Sequence, residues 1–534
     1  MNPKRVEQCK KSIAKVMGVH RSYNFSQPYI NEEEQQFGGT AFFVDPKLFG
    51  KKFPVEKRCR YALTNFHVVD QLVHKQCNLY FPHKGRSSIK AKVLFAVNAL
   101  DVAILEIDPE GDHDQWYEGG DVTEFINGIP NLQCETKDPI KGNAQQVIGI
   151  GFPNLSNDYQ ICPGCVSGRG LGMIQVSISL NGGNSGGPLL MKGKVIGICT
   201  ASISDSEGLG LAVPIYQIIR FLSHWTDYDK ILLTTPSWGL DLTTLTDDYV
   251  AYHNISDGVQ GGLVTKVIET GCLHEVGIKA NDIIVGINSG GRRYNVDNTG
   301  HVLVPWTDKK VPLGNQEFIL SLDKDDVTLH VCKARGRKNY KITEIQVTPV
   351  PIKFEIREKF HCWEDIDYSV VGSCVFMELS MNHLEADEDE EMEMYCPASR
   401  AIPLVQYISG TMHMKQIVVC THIPLESHVD WNSHLKIYEQ ILEVNGKKIT
   451  DLNKFNSVIQ EAADGFNEAG NDNLEHDKRN FLVIKTTKEK TYLDIRKLIV
   501  GELKYREKAQ YPVEKAVLLN AIAQQSSRKR RRRR

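Results

Sequence analysis

Apolar and polar positions alternate with a period of two along much of the chain, and that period predicts strands. Cys77–Phe81 and Ile89–Phe95 alternate clearly, and Tyr61–Thr64 and Val102–Leu105 are short apolar runs of strand length. Lys11–His20 predicts either a first strand or a short helix leading into one. Further β-type runs lie at Gln146–Pro153, Lys194–Thr200 and Gly208–Pro214, and Ile215–Trp225 switches to helical spacing. Arg21–Gln36 is polar, carries Pro28 and Glu32–Glu34, and predicts a loop. After a connector at Asp227–Pro236, strand patterns resume at Gly261–Ile268 and Gly277–Asn288, then at Gly410–Cys420 and Tyr438–Gly446. Asp282–Asn288 (DIIVGIN) and Gln440–Gly446 (QILEVNG) are apolar runs of related pattern, each reaching an Asn, and are the evidence for an internal repeat. A helix should start within Lys447–Phe455 and run through Ile459, and Leu498–Gln524 predicts another, with Val517, Leu518 and Ile522 apolar.

At 534 residues the chain exceeds one core and predicts about three domains. Its 41% hydrophobic and 24% charged content is ordinary for soluble globular protein. No run of roughly 18 apolar residues predicts a membrane-spanning helix. Met1–Lys11 lacks the apolar core of a secretory signal, so the expected location is intracellular. Thirteen cysteines, an odd number, suit free thiols in a reducing compartment. Cys162 and Cys165 form a C-x-x-C with no second pair to complete a zinc site, and read as two loop thiols. Net charge is −3, but Arg528–Arg534 holds seven cations, so the remainder carries −3 − 7 = −10. That tail, with no apolar or aromatic residue, can bind phosphates or serve as a nuclear-import address, and the sequence leaves both open. The acidic run Glu385–Met394 reads as a solvated loop or a docking surface for basic partners, and Asp464–Asp477 as a mobile linker.

The chemistry centres on Gly183-Asn184-Ser185-Gly186-Gly187-Pro188. A serine hydroxyl becomes a nucleophile only when a base takes its proton, and the resulting oxyanion needs backbone donors, which a glycine turn can supply. The Gly183 and Ser185 amides are the candidate donors, with Asn184 shaping the turn. The required base and its orienting acid lie upstream: His67 ends an apolar run and Asp101 opens one, 34 and then 84 positions apart in the order His, Asp, Ser. Taken singly, a glycine turn, a core histidine and a strand-start aspartate would explain each. Three in order outweigh those readings.

Thr64–Val69 (TNFHVV), Leu100–Leu105 (LDVAIL) and Asn181–Pro188 (NGGNSGGP) resemble the three motifs of HtrA (Deg, protease Do-like) serine proteases. Phe37–Asp45, Gln146–Pro153, Lys194–Thr200 and Gly208–Pro214 resemble the family's neighbouring strands, and the segment around Val166–Arg169 its activation loop. Gly182 departs from the Pro or Ser found in many relatives. Tyr23–Pro28 is similar to plant-type Deg proteins, a subgroup with intracellular and nuclear members. Gly261–Asn288 and Tyr438–Phe455 resemble PDZ domains, with Trp238, Gly239, Leu240 and Asp241 as the candidate carboxylate-binding loop of the first.

The resemblance implies a mostly β fold: a chymotrypsin-like double β-barrel followed by two PDZ-like domains. The boundaries would be 1–230 for the protease domain and 237–345 and 352–500 for the PDZ-like domains, the second with the acidic insertion. Residues 501–534 would form a helical extension and basic tail. It further implies an ATP-independent endopeptidase that cleaves unfolded or damaged proteins through Ser185, His67 and Asp101, regulated by PDZ domains. No metal or cofactor is needed, no membrane is involved, and a trimer-based homo-oligomer is expected. A competing reading is a PDZ scaffold with a latent protease domain. A third puts nucleic acid or an import receptor at Arg528–Arg534 first, in a nucleus or, for a viral chain, a virion or host cell.

Overall fold

The computed structural model describes residues 3–30, 33–117, 120–170, 172–202, 209–224, 230–255, 258–305, 310–323, 325–335, 339–385, 415–424, 427, 429, 435–469, 477–509 and 511–523. The chain divides into two compact units. The first holds Met1–Arg21 and Glu34–Ile352, and the second Ser22–Glu33 and Lys353–Arg534.

The first unit begins with two closed six-stranded barrels. One runs β1 (Ile13–Arg21), β2 (Glu34–Val44), β3 (Arg60–Thr64), β6 (Val102–Ile107), β5 (Ser88–Val97) and β4 (Gln76–Tyr80), in that spatial order. The other runs β10 (Pro188–Met191), β11 (Lys194–Ser202), β12 (Gly210–Pro214), β9 (Met173–Val176), β8 (Gln160–Gly170) and β7 (Gln146–Gly151). Closure leaves neither sheet an unpaired edge. The alternative at Lys11–His20 resolves as strand: Ile13, Ala14 and Val16 are buried, and β1 pairs with both β2 and β4. Tyr61 and Leu63 of β3 and Phe95 and Val97 at the end of β5 feed the same apolar core as Phe42 and Val44 of β2. The helix Ile215–His224 presses Ile215, Ile218, Phe221 and Leu222 onto it. At about 25 cal/mol per Å² of apolar surface removed from water, this burial is the main stabilising term.

The C-x-x-C is a correction. Cys162 and Cys165 sit within β8, opposite Gly149 and Gln146 of β7, and not in a loop. Three positions apart on a strand, their side chains point to opposite faces, so they cannot share one ligand. All described cysteines are free thiols.

The rest of the first unit is built on a sheet whose outermost strand, Leu240–Thr244, pairs among the described residues with Gly262–Val267. The order continues through Ile283–Ser289, Val327–Arg335 and Asn339–Gln346. Trp238 anchors it: the indole is buried and donates from Nε1 to the Leu313 carbonyl at 3.1 Å.

In the second unit, Tyr368–Val371 and Cys374–Glu378 form a hairpin beside Val418–His422. A second sheet runs Lys447–Lys448, Ile441–Val444, Phe481–Thr486, Lys490–Asp494, and the helix Leu452–Ala469 packs Leu452, Phe455, Val458 and Ile459 into the core between. Part of the expected linker, Asp464–Ala469, is the end of that helix. The expected loop Arg21–Gln36 is shorter than the sequence suggested, because β1 and β2 stay paired out to Arg21 and Glu34. The intervening Ser22–Glu33 belongs to the second unit, because its polar run hides anchors. The Tyr29 hydroxyl meets that of Tyr505 at 3.0 Å, Ser26 Oγ meets the Tyr438 hydroxyl at 3.0 Å, and Thr421 donates to the Ser26 carbonyl at 3.0 Å.

The expected helix Leu498–Gln524 is also corrected. A helix spans Ile495–Ala509 and ends ahead of Pro512, whose ring disfavours a helical residue before it; a 3-10 turn at Val513–Lys515 follows, and residues 517–523 are helical again. The acidic run from 386 onward and the tail Arg528–Arg534 lie outside the described residues.

Candidate active site

The three candidate residues arrive from both barrels. His67 follows β3, Asp101 sits in the turn between β5 and β6, and Ser185 lies in the glycine turn ahead of β10. Asp101 has φ 44° and ψ 50°, a left-handed backbone that aspartate tolerates better than most residues, with its amide closing the turn onto the Asn98 carbonyl at 2.8 Å. This turn aims its carboxylate at the histidine. Oδ1 accepts from the His67 backbone amide at 3.1 Å, and the two carboxylate oxygens lie 2.9 and 3.0 Å from His67 Nδ1. Thr200, from β11 of the other barrel, donates to Asp101 Oδ2 at 2.7 Å. The histidine's orientation and its Nδ1–H tautomer are thereby set. Burial works against charging the ring, but the hydrogen bond and negative charge of Asp101 outweigh it and raise the His67 pKa above its ordinary value.

Asn65 stitches the pieces together. Fully buried, it accepts from the Gly186 amide through Oδ1 at 2.5 Å and donates through Nδ2 to the Asp101 carbonyl at 2.8 Å. One amide side chain thus fixes the residue after Ser185 to the backbone of the residue that holds His67.

The turn itself is held by its carbonyls. Gly182 O accepts from the Asn154 amide at 2.5 Å, and Gly183 O accepts from Thr40 Oγ1 at 2.7 Å. Asn184 O accepts from the Gly187 amide at 3.0 Å, and Ser185 O from the Thr40 amide at 2.8 Å. A trans peptide points its N–H opposite its C=O. Pinning the Gly182 and Asn184 carbonyls therefore turns the Gly183 and Ser185 amides the other way. Neither amide has an acceptor among the described residues. Gly183 needs its glycine: φ is 93°, and a Cβ there would lie 2.2 Å from the Phe152 carbonyl.

A trypsin-like peptidase family model matches residues 39–198, which contain all three candidates, and a PDZ domain model matches residues 360–494. The chain is a trypsin-like peptidase with a PDZ domain, homologous to the Do-like proteases. It is 25% identical to the mitochondrial protein Do-like 3 of Arabidopsis thaliana over 90% of this chain and 77% of that one. It is 22% identical to the mitochondrial Do-like 12 of the same plant, over 90% and 84%. A periplasmic DegP-like serine endoprotease of Ectopseudomonas mendocina is 27% identical over 43% of this chain and 45% of its own length. Among solved structures, the HtrA-type protease AlgW with a decapeptide gives a TM-score of 0.44 at 18% identity, covering 65% of this chain and 98% of that one.

Two features of this peptidase had no reading in the sequence. Thr40 is one: besides donating to the Gly183 carbonyl, its hydroxyl accepts from the Phe152 amide at 3.2 Å, and Thr64 Oγ1 holds its carbonyl at 2.8 Å. The other lies on β8, where Arg169 pairs with Asp138 and has Nη1 4.0 Å from Glu317 Oε1. Glu317, on the helix Gln316–Ser321 of the neighbouring sheet domain, also accepts from the Tyr216 hydroxyl. Burial raises the Glu317 pKa despite these partners. Of the candidate carboxylate loop, Trp238 is a core residue, so only loop backbone and the flanking strand remain to meet a peptide. Gly239 takes φ 66°, Leu240 is half-buried and Asp241 is exposed.

Among the described residues no helix is long and apolar enough to cross a membrane, and no cluster of side chains forms a metal site.

Proposed function

We propose that this peptidase is an ATP-independent endopeptidase in which Ser185 attacks the scissile carbonyl. His67 takes the serine proton and returns it to the leaving amine, and Asp101 holds the imidazole and stabilises its cation. The Gly183 and Ser185 amides bind the oxyanion, with Asn184 shaping the turn, and losing one such donor costs roughly 10²–10³ in rate. The observation that carries this reading is Asn65, which ties Gly186 to Asp101 and so fixes the serine turn to the His67–Asp101 pair.

Substrates are unfolded or damaged proteins. The 237–345 region acts as a first PDZ-like domain, taking a peptide on the open edge of Leu240–Thr244 beside the Trp238–Asp241 loop. The Tyr216–Glu317–Arg169 contacts support control of the barrel by that domain. The active form is a trimer-based homo-oligomer.

β-Casein cleavage by the full chain, beside Ser185→Ala, tests the reading. Cleavage lost in the variant supports it; equal cleavage by both removes Ser185 from the mechanism. The two Arabidopsis relatives named above are mitochondrial by name. Deleting Arg528–Arg534 and following location and salt-dependent nucleic-acid binding separates an import signal or nucleic-acid anchor from an inert terminus.

A further inference from the structure

The stretch that carries His67 has few bonds of its own. Phe66–Gln71 is a run of bends and turns after β3, closed by the Val69 amide on the Phe66 carbonyl at 2.8 Å and the Leu72 amide on the Val69 carbonyl at 3.1 Å. Val68, next after His67, is buried, yet its carbonyl takes no backbone donor among the described residues. A buried carbonyl left without a donor is costly, so this position calls for a donor from elsewhere.

His20 supplies it. β1 pairs with β4 over Lys15–Met17, and beyond that it meets the residues after His67 instead: His20 bridges Leu72, and the Arg21 amide donates to the Gln71 carbonyl at 3.4 Å. His20 is buried, and its Nε2 lies 3.2 Å from the Val68 carbonyl oxygen. A carbonyl can only accept, so Nε2 carries the hydrogen, in the neutral ring as in the cation. Phe37 of β2 covers the imidazole. The two rings stack with centroids 4.4 Å apart and planes 23° apart, across a diagonal of the ladder in which Gly18 faces Phe37. Two residues on, β2 passes against Val68 and Ser185 together: a Cβ on Gly39 would lie 2.8 Å from both the Ser185 carbonyl oxygen and Val68 Cγ2.

We infer that His20, capped by Phe37, is a positioning residue for the general base. It holds the His67 main chain through the Val68 carbonyl and so sets the distance of the imidazole from Ser185. This rests on the catalytic reading of His67, Asp101 and Ser185 given above. Asp101 fixes the rotation and tautomer of the ring; His20 fixes the backbone that carries it. Because Nε2 donates in both charge states, the hold persists across the pH range in which His67 titrates.

The test compares His20→Ala, His20→Gln and Phe37→Ala in the full chain. Turnover of a fluorogenic peptide is divided by the sites that a fluorophosphonate titrates, so misfolded chains drop out of the rate. A misplacement of about 1 Å costs roughly 10² in rate, so His20→Ala should lower kcat per titrated site by about 10- to 100-fold, with KM within about threefold. Glutamine keeps an N–H donor on a side chain of similar reach, so His20→Gln should recover most of the rate. Phe37→Ala, which lets water reach the bond, should fall between them. Added to His20→Ala it should cost less than about twofold more, since both act on one bond. A second readout needs no turnover. In chains carrying Ser185→Ala, the downfield Nδ1–H proton resonance of the His67–Asp101 pair should weaken through faster solvent exchange with His20→Ala and persist with His20→Gln. An unchanged kcat per site in His20→Ala, an unchanged resonance in that variant, or glutamine as impaired as alanine overturns the inference. A wild-type chain that neither labels nor cleaves counts against the catalytic reading, and the resonance then decides on His20 by itself.

Discussion

Thr40→Val is the sharpest test of how the serine turn is held. Valine keeps the shape of threonine, so no cavity opens, but the hydroxyl is gone. The Gly183 carbonyl loses its donor at 2.7 Å and the Phe152 amide loses its acceptor at 3.2 Å, both at a fully buried position. Each orphaned buried group costs roughly 1–3 kcal/mol, so the variant should lose about 2–6 kcal/mol if nothing relaxes. Part of that loss is recovered if the Gly183–Asn184 peptide rotates towards another donor, and that rotation would misalign the neighbouring amides. The expected signature is therefore split: a fall in kcat of about 10²–10³, as for one lost oxyanion donor, with KM changed by less than about threefold. Thr40→Ser, which restores the hydroxyl, should return most of the rate. Fluorogenic peptide turnover read beside urea denaturation of the same preparations supplies both numbers. If Thr40→Val loses stability but keeps kcat, the clamp does not orient the turn. If Ser and Val are equally impaired, the methyl packing matters and not the hydrogen bonds.

Other outcomes follow from the same contacts. The His67 pKa is raised, so the stabilisation of its charged pair with Asp101 is present at low pH and is lost as pH rises through that pKa; activity needs the neutral ring and runs the opposite way. The acid limb of kcat/KM should accordingly lie above pH 6.5, and Asp101→Asn should lower kcat by roughly 10⁴. Gly186→Ala should not yield active protein in a turnover assay, since φ is 86° and the new Cβ would lie 2.0 Å from the Thr40 carbonyl. Glu502 is pushed by burial from 4.5 up to about 7, so the second unit should lose stability as pH rises from about 4.5 to 7. The loss is on the order of 3 kcal/mol, and Glu502→Gln should flatten this dependence in pH-resolved thermal melts.

How much of this was legible in the sequence depended on how local each signal was. His67, Asp101 and Ser185 stood in motifs of a few residues whose strand contexts are local, and the strands fell where alternation placed them. Thr40 could not be read the same way, because its partners Gly183 and Phe152 are more than 100 positions away. Ser22–Glu33 looked like a solvated loop by composition, and only its partners, Tyr438 and Tyr505, show that Ser26 and Tyr29 are anchors. The C-x-x-C read as loop because Pro163 and Gly164 break strand propensity, but pairing with β7 overrides that local preference. Val517 and Leu518 read as part of one continuous helix because apolar spacing carries no information about Pro512 as a stop; they are helical, but in a separate stretch, 517–523, beyond the break.

The central claim is that Ser185, oriented against His67 and Asp101, is the nucleophile of an active peptidase. The most direct measurement is labelling of the full chain by a fluorophosphonate probe, followed by mass spectrometry of the labelled peptide, with Ser185→Ala alongside. The account predicts one adduct, on Ser185, absent from the variant and lost in step with β-casein cleavage. An adduct on another residue, or cleavage that survives in Ser185→Ala, would contradict it.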